Sequence, residues 1–149
     1  MYIANTGNTE VLNGKHLFLQ GSPLLEEKGG IKTGRLSGIS AHHVPFYLKL
    51  SSLPSYKTNC IEDWEKKVEA VVKETINQDM RILSGIPSWL QMYFEKLQIV
   101  ANKPIGEIFK NFHLLIYGGV SYTPYKKKFE KLIGRNIDSV EVYPASEGF

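Results

Sequence analysis

Apolar residues in this chain occur as short unbroken runs and as longer stripes at helical spacing, and the two kinds alternate. Residues 61–78 carry the clearest stripe: Trp64, Val68, Val71, Val72 and Ile76 fall on one face, and Lys66, Lys67, Glu69, Lys73 and Glu74 on the other. Glu62, Asp63 and Glu65 load its first turn, where the helix dipole favours anions. A short strand over 80–83 follows and ends at Ser84-Gly85. Pro87 then sits where a first helical turn tolerates it, and residues 88–100 continue as an apolar helix. A short helix is expected over 105–109 after Pro104, and a strand over 113–117. Thr123 can cap a helix with Pro124 at its first position, running to about residue 133 and stopping at Gly134. A last segment, 137–142, reads as a strand.

The first third is less regular. Residues 1–14 are rich in Asn, Thr and Gly and read as loop or short edge strand, 16–20 as a strand, and 21–34 as a surface loop. Residues 36–53 read as helical in part. The expectation is a single α/β domain over 1–149, with a loop-rich segment at 1–33 and a mostly parallel sheet flanked by helices.

Composition changes this picture little. The chain of 149 residues is 42% hydrophobic and 22% charged, which suits a globular domain with its own core. A net charge of +3 is mild, and Lys126-Lys127-Lys128 reads as a solvated helix face rather than a nucleic-acid stripe. The single cysteine, Cys60, precludes an internal disulfide framework and fits a reducing, cytoplasmic compartment. No apolar run is long enough for a membrane span. Gly29-Gly30-Ile31-Lys32-Thr33 is not a phosphate-binding P-loop, because Ile31 separates Gly from Lys. His42 and His43 lack the further ligands at set spacing that a metal site needs.

The chemistry gathers where strands end. The run 113–117 leads into Gly118-Gly119-Val120-Ser121, and the last strand into Tyr143-Pro144-Ala145-Ser146-Glu147-Gly148. Glycines let backbone approach a flat base, an aromatic can lie on it, a hydroxyl can donate to phosphate and a carboxylate can hold Mg²⁺. Two such loops joined through a helix describe a crevice at the carboxyl edge of a parallel sheet. Blander readings stand beside each. The diglycine suits a strand-to-helix turn, Tyr143 can pack on a neighbouring helix, and Ser146-Glu147 suits a helix N-cap with an acidic first turn.

The two loops resemble the matching loops of acyl-adenylate-forming enzymes, and within them the GH3 family of acyl acid amido synthetases, named for auxin-responsive members. Ser84-Gly85-Ile86-Pro87-Ser88-Trp89 and Asp63-Trp64-Glu65-Lys66-Lys67 are similar to segments of that family, and the likeness runs from about Gly34 onward. The resemblance implies a ligase that adenylates a small carboxylic acid with ATP and Mg²⁺, then passes the acyl group to an amine or amino acid. It implies that Gly118, Gly119 and Val120 line the adenine site and that Tyr143 stacks on or walls the adenine. Pro144 and Ala145 would shape that loop, Ser146 donate to the α-phosphate, and Glu147 bind Mg²⁺. Ile86 and Trp89 would border the acyl pocket, although a Trp on an apolar helix also suits the core.

Family enzymes carry a Ser/Thr/Gly-rich phosphate loop with a Lys and a small mobile domain, and neither is visible here. The resemblance therefore implies a central fragment that works with the remainder of the enzyme. Alone it would be inactive or nearly so, binding ATP no tighter than about millimolar. The alternative is a stand-alone, non-catalytic α/β interaction module that dimerises or binds a partner through exposed sheet edges.

Overall fold

The computed structural model describes residues 2–34, 38–39 and 43–143. Five strands form one parallel sheet: β1 Lys15–Leu19, β4 Ser52–Leu53, β5 Met80–Gly85, β6 Leu114–Gly118 and β7 Asp138–Val142, in the order β4-β1-β5-β6-β7. Two further strands, β2 Glu26–Lys28 and β3 Ile31–Thr33, pair as an antiparallel hairpin apart from it. The chain is thus α/β with a parallel sheet flanked by helices, as the alternation of runs and stripes implies.

The connecting helices are α4 Trp64–Thr75, α5 Pro87–Ala101 and α7 Thr123–Ile133, with short helices α1 Tyr2–Thr6, α2 Phe46–Lys49, α3 Tyr56–Asn59 and α6 Ile105–Ile108. Asp63 caps α4, its carboxylate accepting from the Lys66 amide at 3.1 Å. Pro87 opens α5, and Gly134 ends α7 in the left-handed conformation at φ 76°. The N-cap position of α7 is Tyr122, whose side chain makes no capping bond, and Thr123, expected as the cap, is already helical.

One face of the sheet meets the three long helices. Leu17, Leu19, Leu83, Leu115 and Tyr117 pack with Val71 and Val72 of α4, Leu90, Tyr93, Phe94 and Leu97 of α5, and Phe129 and Leu132 of α7. Alternate strand residues, Ile82 and Leu114 with Ile116 and Val140, form a smaller cluster on the other face under Val11, Tyr2 and Ile3. Residues 2–12 therefore hold α1 and a 3₁₀ turn at Glu10–Leu12 instead of the expected loop, because Val11 is needed as a lid on Ile82 and Leu114. The expected loop over 21–34 likewise contains the β2–β3 hairpin, whose turn is Gly29-Gly30 with both φ positive at 60° and 80°.

No helix among the described residues is long and apolar enough to cross a membrane.

Candidate functional site

Because the strands are parallel, their carboxyl ends share one edge. In strand numbering within the sheet the order is 2-1-3-4-5, so successive connections leave in opposite directions between β1 and β5. Two features lie along this edge: the β6–β7 loops, and a cleft beside the β1–β5 reversal.

At the first, Gly118 lies in register with Val142, so the diglycine turn and the segment opened by Tyr143 start side by side. A Cβ on Gly118 would overlap the carbonyl oxygen of Val142, so the absence of a side chain is what lets the strand ends close together. Gly119 has φ +85°, and a Cβ there would meet only Ile86 side-chain carbons, the nearer at 3.7 Å. The turn is consequently bare backbone, open on one side, with Ile86 from the β5–α5 junction against it. That geometry suits the close approach of a flat ring. Val120 is 46% and Tyr143 78% exposed, so both present surface at this edge. Beneath the turn Tyr122 stacks on Tyr117, ring centroids 4.0 Å apart and planes at 16°. Burial pushes the Tyr122 hydroxyl pKa up, with Tyr117 adding to it, so the phenol stays neutral. Pro144, Ala145, Ser146 and Glu147 lie outside the described residues, as does His42.

Trp89 turns away from this turn, toward α4. Its ring lies 4.5 Å from that of Trp64, and the Trp64 indole N–H donates to Met92 Sδ at 3.1 Å. Ile86 and Trp89, expected together at one pocket, thus reach to two places: Ile86 to the diglycine turn, Trp89 to a cleft of about 970 Å³. Gly21 and Ser22 after β1, the β2–β3 hairpin, Glu62, Trp64, Lys67 and Trp89 line that cleft.

Lys67 is the residue the sequence pattern misassigns. Its helix stripe placed it with the solvent-facing lysines, but it is 1% exposed. Its ammonium donates to the carbonyls of Gln20 and Asn59, both at 2.8 Å, and lies 5.8 Å from the Trp64 ring centre. Burial pulls its pKa down, with the Cys60 thiol opposing. A faint signal was present: position 67 follows Trp64 by three and precedes Val71 by four, which is the buried stripe.

A second cavity, about 590 Å³, opens on the other side of β1 and β4 and is lined by His16, Phe18, Leu48, Leu53, Tyr56 and Asn59 among others. Nearby, Glu74 of α4 ties down the start of α3, accepting from the Ser55 amide at 2.8 Å, the Ser55 hydroxyl at 2.7 Å and the Thr58 hydroxyl at 2.5 Å.

No family model matches the chain, and neither the curated proteins nor the solved structures contain a match to it.

Proposed function

We propose that this chain supplies the adenine side of the nucleotide site of an ATP-dependent acyl acid amido synthetase resembling the GH3 family. The observation that carries the reading is the register of Gly118 with Val142, which starts both candidate loops side by side at the carboxyl edge. The bare, positive-φ backbone at Gly119 fits a nucleobase, and exposed Tyr143 stands at the head of the neighbouring loop to wall it. Ile86, against the same turn, would border the bound acyl group.

The chemistry is carboxylate activation. A carboxylate oxygen attacks the α-phosphorus of ATP, the bond to pyrophosphate breaks, and an amine then displaces AMP from the acyl carbon. The chain's own residues would orient base and acyl group, with Ser146 donating to the α-phosphate. Glu147 would hold Mg²⁺, which neutralises phosphate charge. Such an enzyme works in the cytoplasm, on small molecules, and binds neither nucleic acid nor membrane.

A second reading rests on β7, an edge strand with only Val140 even half-buried. A stand-alone interaction module, dimerising through that edge, would use it by strand addition.

Saturation-transfer NMR on the chain with ATP and Mg²⁺ separates the two. The adenylating reading expects transfer to the adenine protons with a Kd of about 1 mM. Transfer is lost in Gly119→Val, and its Mg²⁺ dependence is lost in Glu147→Ala. Equal signals in the parent and both variants, or none in the parent, contradict it.

A further inference from the structure

We propose that the cavity lined by β1, α2 and α3 is a binding site for a small, neutral, largely apolar molecule bearing a hydroxyl, and that His16 accepts a hydrogen bond from that hydroxyl. The cavity shares no residue with the β6–β7 loops, so the proposal goes beyond the nucleotide reading and stands apart from it.

Strand alternation makes the cavity. Leu17 and Leu19 of β1 pack into the large core, so His16 and Phe18 face the other side of the sheet, next to the edge strand β4. The N-terminal segment packs on that side over β5, β6 and β7. Beside β1 the same side holds a cavity of about 590 Å³, a volume suited to a small molecule. Phe18 and Leu48 line it and are both exposed, and Val44 and Leu53 extend the apolar wall. A ligand body seated there covers apolar surface that the described chain leaves in water.

The polar groups set the rest of the ligand. His16 is only 8% exposed, and its Nε2–H donates to the Val11 carbonyl at 3.1 Å. A carbonyl can only accept, so in the neutral ring the proton sits on Nε2 and Nδ1 carries a lone pair. That lone pair has no partner among the described residues. Asn59, also on the lining, donates its Nδ2 to the Pro54 carbonyl at 3.4 Å, which leaves its Oδ1 buried and unpartnered. The lining hydroxyls are already committed, Ser52 donating to the Leu48 carbonyl and Ser55 to Glu74, both at 2.7 Å. The two unsatisfied atoms are therefore acceptors, and the ligand must bring the donor. A carboxylate brings none, and their lone pairs repel it. An ammonium brings donors, but no carboxylate lines the cavity to offset the cost of desolvating it. Lys49 on the lining is exposed, and a solvated ammonium adds little to the hold on an anion. A neutral hydroxyl meets the imidazole nitrogen at the lowest desolvation cost.

Three probes on one flat body separate these cases: naphthol, methoxynaphthalene and naphthoate, all substituted at the same carbon. Calorimetric titration of the chain without nucleotide should show saturable naphthol binding, roughly tenfold tighter than that of either the ether or the carboxylate. The nitrogen NMR signal of His16 Nδ1 should move upfield as naphthol saturates the chain, because the lone pair then accepts a hydrogen bond, and should stay in place with methoxynaphthalene. His16→Phe, first checked for native circular dichroism, should bind naphthol and its ether equally. If that variant does not fold, the His16 nitrogen signal in the parent decides. No saturable naphthol binding, an ether or a carboxylate that binds as tightly as naphthol, an unmoved Nδ1 signal at saturation, or a folded His16→Phe that keeps the preference would each overturn the proposal. Because no ATP is present, loss of adenylate binding at the β6–β7 loops leaves this result untouched.

Discussion

At the scale of single residues, two adjacent glycines do different work. Gly119 needs its positive φ, whereas Gly118 needs its missing Cβ, since β7 backbone occupies that space. Gly119→Ala should cost about 1 kcal/mol through backbone strain. Gly118→Ala should cost more, because β6 and β7 must separate at their ends. Thermal unfolding of the two variants orders them, and a Gly118→Ala protein as stable as the parent would contradict the close strand approach. Glu74 offers a pH test. Burial works to raise its pKa, but hydrogen bonds from Thr58 and Ser55 outweigh burial and hold the carboxyl below its usual range. Unfolding returns the group to that range. Its stabilising share is thus complete above the ordinary carboxylate pKa and is lost as pH falls through the lowered folded value. Glu74→Gln should lower stability near neutral pH by about 1–2 kcal/mol and flatten the acid limb of a urea-unfolding profile.

At the scale of elements, the central strands β5 and β6 were legible because they are buried on both faces, whereas β7 was legible despite its exposure. Leu83, Leu114 and Leu115 sit in unbroken apolar runs because helices cover one face and the N-terminal segment the other. β4 could not be read, being only Ser52–Leu53, too short to carry a pattern. The β2–β3 hairpin was hidden by its composition: charged strands beside Gly29-Gly30 look like loop, although a diglycine between two paired runs is itself a turn signal. Lys67 was missed for another reason. Its charge set it with the solvent-facing lysines, although its spacing from Trp64 and Val71 also suits the buried stripe, and the carbonyls that receive it come from distant segments, Gln20 and Asn59. α4 and α5 are joined by a buried hydrogen bond between Thr75 and Tyr93, hydroxyl to hydroxyl at 2.7 Å. Burial pushes the Tyr93 phenol pKa far up, against the opposing Thr75 bond. Tyr93→Phe should cost about 1 kcal/mol and leave the far-ultraviolet spectrum unchanged. Chemical denaturation measures it, and an unaltered midpoint would mean the pair contributes nothing.

At the scale of the whole molecule, sheet order decides what can meet. The sequence pattern implied a parallel sheet and two loops on one edge, but not that β1 would sit between β4 and β5. That placement puts the reversal, and the Trp64–Trp89 cleft beside it, away from the β6–β7 loops on the same edge. It also divides the expected acyl-pocket pair, Ile86 facing the diglycine and Trp89 facing α4. The order was not legible because β-to-α alternation is the same for every permutation of parallel strands. The central claim is that adjacent strand ends, Gly118 and Val142, build the adenine side of a nucleotide site. The most direct measurement is the change in backbone amide chemical shifts as ATP and Mg²⁺ are titrated into the labelled chain. The account predicts changes concentrated at Gly118, Gly119, Val120 and Tyr143 and running on into Ser146 and Glu147. Changes confined to the opposite edge of the sheet, around Asp79 and His113, or no changes at saturating ATP, would contradict it.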